Sequence, residues 1–551
     1  MRRSFGKPYI TRNDCIKNYI LKIRLNLHNN ILCKAGSGIK HCKKYSTNFQ
    51  KNGYTVLTEK NALWYRQNQY KEITNSAQKA VIRGEFYGET YKNLENDSTL
   101  GGLQKLSPLE RLIKNYEENS FSFSLSNNIP VFVEKNDQSS TSTILLRFEG
   151  GESPYAKNKH AMEKVLLKSF AKNIENQIKK SFSAGAITDI GNIQVNTQIY
   201  SGSIEISFLS QDFENVCKCI NHAIAYSNIT PGMEDEIILQ EKSIWQFTSS
   251  QLLFQLKYKF LSKFFEKKEY SHLFSCTLDI LQDVSFNEIA LLYTKILDAS
   301  KMSIIITGNT ETSDDELKNL AEKTFSIIPS LSENRNLQTK ITRENDSSID
   351  FKDTAVVVQV KRIFGSDIEA KDAGPRPEHL IPTTEFLDPA IVVLTSPSKT
   401  GEDYANFILA LSVLQEKMKN DTSFQTLASD IQLFQFDEID GVYGLAFFEV
   451  ESSKKLYNYF KTFTDKKFSI TENDLKNAKI SYIGSTYGNL STSEDNAKMM
   501  NENLSSTGNA FYHIDFLKSL KNAQLQNVQK SYETYIKGCP VYWIFTGDTK
   551  K

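Results

Sequence analysis

The sequence has no long hydrophobic run, no cysteine framework and no nucleotide-binding loop. No apolar stretch among its 551 residues approaches the roughly 18 that predict a membrane-spanning helix. The seven cysteines show neither zinc-ribbon nor thioredoxin spacing, so free thiols in a reducing compartment are expected. A Gly-rich phosphate loop, a Walker motif and a Gly-x-Ser-x-Gly elbow are also absent, which excludes the common nucleotide-binding and serine-hydrolase classes.

Acidic residues are almost absent from the first 44 positions, which hold eleven Lys or Arg against the single acid Asp14. A hydrophobic stripe follows helical spacing through Ile16, Tyr19, Ile20, Ile23 and Leu27. A basic, acid-poor amphipathic helix is typical of mitochondrial targeting segments, so residues 1–46 are predicted to direct the protein to the matrix or the matrix side of the inner membrane. The remaining chain holds 55 basic and 64 acidic residues, and this net charge of −9 predicts no nucleic-acid partner.

A repeated pattern divides the body of the chain. Residues 301–310 and 540–549 both contain an apolar strand that ends in Thr-Gly-polar-Thr, and Gly308 and Gly547 are 239 residues apart. Tyr293 and Tyr532, in the helical runs that precede these strands, keep the same offset, which indicates a duplication. The predicted organisation is a targeting segment at 1–46, an N-terminal extension at 47–115, a first half at 116–335, a linker at 336–351 and a second half at 352–551.

The string His160-Ala-Met-Glu163-Lys164 contains the most specific chemistry of the sequence. On a helix, His-x-x-Glu-His places two zinc-binding imidazoles and a general-base Glu on one face. His160 stands at the first ligand position and Glu163 at the base position, but Lys164 replaces the second His. A protonated ammonium group cannot bind zinc, and it places a positive charge where the cation would sit.

Two strand-like segments at 121–133 and 143–148, a Gly-containing turn at 149–153 and a helix-like segment at 234–241 surround this string. The series resembles the pitrilysin or insulinase-type metallopeptidase family over residues 116–548. The resemblance implies an α+β, clamshell-like fold of two homologous α/β halves, each with antiparallel sheets and packed helices. It also implies that Glu241 occupies the position of the distal metal ligand. His160 and Glu241 are then vestigial ligands and Glu163 a vestigial base, so neither activity nor a zinc cofactor is expected.

The degraded motif is most similar to that of the non-catalytic family members, such as the alpha subunit of the mitochondrial processing peptidase and the second core subunit of respiratory complex III. Their Asp-Arg after the first His is chemically similar to Glu163-Lys164. This similarity implies a complex III core scaffold or a substrate-holding subunit for presequence peptides. Either role implies a homologous partner, which would be a catalytic beta-type or a core 1-like subunit.

Residues 416–424, where the alpha subunit has a Gly-rich substrate-holding loop, contain no glycine, which favours the scaffold role. Two alternatives stay open. The chain is either the inactive half of a bacterial-type two-half zinc protease, made as a separate protein, or a solitary active zinc protease that tolerates Lys164.

Overall fold

The computed structural model describes most of the chain after residue 106. The described residues are 107–137, 139–155, 159, 161–189, 191–226, 229–230, 232–249, 251–274, 285–331, 341–342, 354–359, 388–436, 439–487 and 492–547. The predicted targeting segment, His160 and most of the predicted linker lie outside them. Ser107–Lys551 form one compact unit.

Thirteen strands are found among the described residues. Those of the first half are β1 (Ser120–Ser124), β2 (Pro130–Lys135), β3 (Thr141–Glu149), β4 (Asn192–Thr197), β5 (Ser201–Leu209) and β6 (Met302–Gly308). Those that follow are β7 (Ile341–Thr342), β8 (Thr354–Gln359), β9 (Asp388–Thr395), β10 (Asp430–Gln435), β11 (Ile439–Asp440), β12 (Val442–Val450) and β13 (Tyr542–Gly547).

Fourteen α-helices are found in the same part of the chain. The first seven are α1 (Pro108–Asn119), α2 (Met162–Ser183), α3 (Phe213–Ala225), α4 (Met233–Ser249), α5 (Leu252–Phe264), α6 (Phe286–Tyr293) and α7 (Asp314–Phe325). The others are α8 (Tyr404–Lys419), α9 (Thr422–Gln425), α10 (Ser453–Thr462), α11 (Glu472–Thr486), α12 (Ser493–Thr507), α13 (Tyr512–Asn522) and α14 (Leu525–Tyr535). Ser107, Ser313 and Thr471 each begin a helix with a capping box, in which side chains satisfy the free amides of the first turn. None of these helices is long and apolar enough to cross a membrane.

The two large sheets share their topology over five strands, which confirms the prediction of an α+β fold with two α/β halves. Each sheet is mixed and not purely antiparallel as predicted, because it contains one parallel pair. The first sheet has the strand order β1-β2-β6-β3-β5-β4 and the second the order β10-β12-β9-β13-β8. The series β2-β6-β3-β5-β4 matches β8-β13-β9-β12-β10, including one parallel pair, β2 with β6 and β8 with β13. Gly308 and Gly547 end the equivalent strands β6 and β13, as the sequence repeat predicts.

The hydrophobic core of the first half lies between its sheet and its own helices. Strand β6 is buried along its whole length, as expected for a central strand rich in isoleucine, whereas the edge strand β4 is half exposed. Ile144, Ile304 and Ile306 belong to the same buried cluster as Leu166 and Phe170 of α2. The other face of this sheet is therefore available for elements from elsewhere in the chain.

Each half covers the other half's sheet with one helix. Helix α12, from the second half, packs on β3, β5 and β6, whereas α5, from the first half, packs on β8, β9 and β13. Helix α1 runs across the predicted boundary between residues 115 and 116, and its Ile113 and Tyr116 lie in the core of the second half. The two halves are thus joined by exchanged elements as well as by the chain that connects them.

Candidate functional site

The candidate site begins at a turn that leads into α2. Three backbone amides of this turn donate to carbonyls of the β4–β5 hairpin, Gly150 to Tyr200 at 2.8 Å among them. Gly151 has φ +58°, and a Cβ at this position would lie 2.4 Å from a carbonyl oxygen of the hairpin, so the turn requires glycine here. Ala161, directly before α2, has φ 71°, a conformation that L residues with a Cβ rarely adopt. The start of α2 is thus held by the sheet edge rather than by a side-chain cap of its own.

Glu152, in the same turn, caps α2 from outside the helix. Its carboxyl accepts the backbone amide of Lys164 at 3.2 Å and also that of Glu163. These are two of the amides that have no partner within the helix. Burial and the neighbouring Glu163 carboxyl raise the pKa of Glu152 to about 8. This carboxyl therefore favours its protonated form near neutral pH.

Glu163, the predicted vestigial base, is buried between the turn and strand β5. The hydroxyl of Tyr155 donates to Glu163 Oε2 at 2.9 Å. On the other side lies Gly202, where a Cβ would approach Glu163 Oε1 to 3.4 Å and Leu167 Cδ1 to 2.3 Å. Burial raises the pKa of Glu163 to about 7, although the Tyr155 hydrogen bond and the Lys301 ammonium act in the opposite direction. A carboxyl with this pKa takes up and releases protons near neutral pH.

Lys164 of α2 and Glu241 of α4 lie in direct contact. Lys164 Nζ lies 3.0 Å from Glu241 Oε2, and Lys168, one helical turn later, forms an ion pair with Oε1 of the same carboxylate. The Glu241 side chain is 4% exposed, whereas the two lysine side chains are 26% and 22% exposed. Two positive charges thus lie beside the buried Glu241 carboxylate, which the resemblance identifies as a metal ligand.

This arrangement does not fit a zinc ion. A cation at Glu241 would have to displace both ammonium groups, which supply the positive charge themselves. Among the described residues, no group of three His, Cys, Asp or Glu side chains is arranged to hold a metal. His160 is not one of these residues, so its place beside Glu163 and Glu241 stays a prediction.

Several residues of the site were not predicted from the sequence. Lys168 shares the helix face of Lys164, and i, i+4 spacing could have identified it. Glu234 lies two turns before Glu241 on α4, is buried, and its Oε2 has no hydrogen-bond partner in the described part of the chain. Glu152 and Tyr155 belong to an irregular turn, where no periodic pattern marks a residue as part of a site.

The structure is similar to several solved structures. It matches a protease from Helicobacter pylori with a TM-score of 0.57 at 12% identity, over 78% of this chain and 99% of that one. A chain of Complex III2 from Candida albicans and the peptidase M16 inactive domain from Pseudomonas fluorescens both match with a TM-score of 0.54 at 12% identity. These two matches cover 78% of this chain and 95% and 98% of the other chains, respectively.

No family model matches the sequence, and no curated protein matches it. At 12% identity, the structural similarity establishes the fold and not the activity. The chain therefore has the two-half fold of the M16 peptidases, the pitrilysin and insulinase type that its sequence resembles.

Proposed function

We propose that the protein is a non-catalytic peptidase-family subunit that works in mitochondria beside a homologous partner. The observation that carries this proposal is the pair of lysines on Glu241. Lys164 Nζ, 3.0 Å from the carboxylate, and the Lys168 ammonium supply the positive charge that a catalytic zinc would bring, but neither can polarise a peptide carbonyl as a metal does. The two ammonium groups therefore neutralise the buried carboxylate as a metal ion would, but they do not make the site able to hydrolyse peptides.

Two roles suit such a subunit, a complex III core scaffold and a substrate-holding subunit of the processing peptidase. The short connection after α8 favours the scaffold role, because only the four-residue helix α9 lies between α8 and β10 and no long glycine-rich loop follows. Strand β4 supports the second role, since it is an edge strand of the first sheet and packs beside α2, and an extended peptide can pair with an edge strand. Similarity to a chain of Complex III2 also supports the scaffold role.

The metal test uses the full chain purified without chelator. We expect less than one zinc per chain and no hydrolysis of peptides. One tightly held zinc per chain, together with hydrolysis that is lost in Glu163→Gln, would contradict the proposal and establish the solitary active protease instead.

The partner test uses the native source. We expect a stoichiometric homologue, either with an intact His-x-x-Glu-His or within a cytochrome-containing complex. Depletion then separates the two roles, because unprocessed precursors accumulate if the protein holds substrates, whereas complex III is lost with normal processing if it is a scaffold. A monomer whose depletion changes neither would refute both.

The mitochondrial location is tested separately. A reporter fused to residues 1–46 should enter mitochondria, since eleven basic charges favour an anionic membrane surface and an inside-negative potential. A cytosolic reporter would instead favour the alternative of an inactive half of a bacterial-type two-half protease. Similarity to an inactive M16 domain of a bacterium supports that alternative.

A further inference from the structure

The two helices that cross between the halves make chemically different contacts. Helix α5 buries only apolar side chains against the second sheet, namely Leu256, Phe260, Leu261 and Phe264. The Phe260 ring lies 4.8 Å from that of Phe436 and 5.4 Å from that of Tyr542, centroid to centroid. Such a contact is held by burial of aromatic surface, and the described side chains that α5 buries in it include no carboxyl or amine.

Helix α12 buries a mostly polar face against the first sheet. Its buried residues are Ser493, Asn496, Ala497, Met500, Asn503, Leu504, Ser505 and Ser506. The Ser493 hydroxyl lies 2.9 Å from that of Thr143, and Arg147 donates to Ser505 at 2.6 Å. This contact therefore combines an apolar cluster, in which Met500 and Leu504 pack with Leu145 and Ile305, with hydrogen bonds and charges. Hydrogen bonds and charges respond to solution conditions more than apolar contacts do.

A carboxyl cluster lies at one side of the α12 contact. Glu205 of β5 is 1% exposed, and Lys498 Nζ of α12 lies 3.5 Å from its Oε1 and 3.0 Å from Glu494 Oε1. Gln194 of β4 donates to the same Glu494 oxygen at 2.8 Å. With both carboxyls ionised, one ammonium would face two negative charges, which is unfavourable in a buried place.

A proton that stays on one of the two carboxyls removes this excess of negative charge. Burial and the neighbouring Glu494 carboxyl raise the pKa of Glu205, whereas the hydrogen bond and the charge of Lys498 lower the pKa of Glu494 despite its burial. Two further pairs lie on this face in the described part of the chain. Arg147 and Glu149 bind each other at 3.0 Å, and Glu134 Oε2 of β2 lies 3.1 Å from Nε2 of His513, whose Nδ1 lies 3.3 Å from the Asn503 amide of α12.

We propose that the docking of α12 on the first sheet takes up a proton at Glu205, so that this contact between the halves tightens at low pH and loosens at high pH. When α12 is displaced, Glu205 meets water and returns toward its ordinary pKa near 4.3. At pH values between the ordinary pKa of Glu205 and its raised pKa in the docked state, only the docked state holds the proton. The docking equilibrium then weakens by up to about tenfold for each pH unit. This inference does not depend on the proposed function.

The test is hydrogen exchange of the full chain at pH 6, 7, 8 and 9. Protection factors, which remove the intrinsic pH dependence of exchange, are compared for α12 and α5 in the same sample. We expect protection of α12 to fall with rising pH by up to about tenfold per unit, and that of α5 to stay constant. Constant protection of α12, or an equal loss in both helices, would overturn the proposal.

Variants of the cluster identify the proton. Glu205→Gln carries no charge at any pH, so its α12 protection should vary much less with pH than that of the wild type. The control Glu502→Gln, on the exposed side of α12, should keep the wild-type dependence. Glu494→Gln, a second variant for the case that Glu205→Gln does not fold, lets Lys498 neutralise Glu205 alone and should reduce the dependence. An unchanged dependence in either cluster variant would refute the role of Glu205.

Discussion

Glu241 is the residue whose replacement tests most directly how the site is held together. Glu241→Gln keeps the shape of the side chain and removes its charge, so the Lys164 and Lys168 ammonium groups lose their common partner. Helix α2 carries both lysines and α4 carries Glu241, so the variant weakens the contact between these two helices. The overall fold should survive, because the core of the first half lies between the sheet and α2.

The expected loss of stability follows from the exposure of the three side chains. Removing one partner from a buried ion pair typically costs about 3–5 kcal/mol, because the other charge stays buried. Here about a quarter of each lysine side chain is exposed, so the ammonium groups regain part of their hydration. We therefore expect the free energy of unfolding to fall by about 2–3 kcal/mol, below that range.

Urea unfolding of the full chain measures this loss. A double-mutant cycle with Lys164→Met and Lys168→Met should show that Glu241→Gln costs much less once the lysines are gone. Glu236→Gln, on the exposed face of the same helix, is the matched control and should cost no more than about 1 kcal/mol. A loss as small as that of the control, or the same loss with and without the lysines, would refute the ion-pair explanation.

Three further predictions concern the metal, the protons and the packing of the site. Lys164→His alone should bind little zinc, because the Lys168 ammonium still pairs with the Glu241 carboxylate. Adding Lys168→Ala should raise the zinc content. Equal zinc contents of the single and the double variant would contradict this. Folding raises the pKa of Glu152 from 4.5 to about 8, so the wild-type folded state loses stability as the pH rises between these values. Glu152→Gln removes this loss, so it should raise the free energy of unfolding by up to about 5 kcal/mol at pH 9 and hardly at pH 5. Urea unfolding of the wild type and the variant at both pH values checks this prediction. An equal increase in the free energy of unfolding at pH 5 and pH 9 would contradict it. Gly202→Ala should lower the free energy of unfolding by about 1–3 kcal/mol, because its Cβ would lie 2.3 Å from Leu167 Cδ1. In a Leu167→Ala background the same substitution should cost less, because the clashing methyl group is gone. Additive losses of stability in the double variant would contradict this explanation.

The division into two halves could be predicted from the sequence, but the exchange of helices between them could not. A strand with a Gly turn occurs at Gly308 and again at Gly547, and the structure places both at the ends of equivalent strands. Amphipathic periodicity shows which face of a helix is apolar, not which sheet covers it. For this reason, nothing in the segments that form α5 and α12 indicated that each covers the other half's sheet.

The candidate site was predictable where it lies on helices. Helical spacing identified Glu163 and Lys164, and the family resemblance added Glu241, which the structure places 3.0 Å from the Lys164 ammonium. Glu152 and Tyr155 were missed because they come from a turn whose shape depends on backbone hydrogen bonds to the β4–β5 hairpin. Such contacts between distant segments leave no periodic signal in the sequence.

The exchange of helices also affects the order in which the protein is completed during synthesis. Helix α5 is made before the sheet that it covers, whereas the first sheet is finished at Gly308 and α12 begins only at Ser493. At about 5–20 residues per second, the ribosome needs roughly 10–40 s to make the intervening chain. During that time one face of the first sheet has no cover. That face carries Thr143 and Arg147 beside Leu145 and Ile305, so the surface that waits longest for its partner is more polar than the aromatic one and less prone to aggregate.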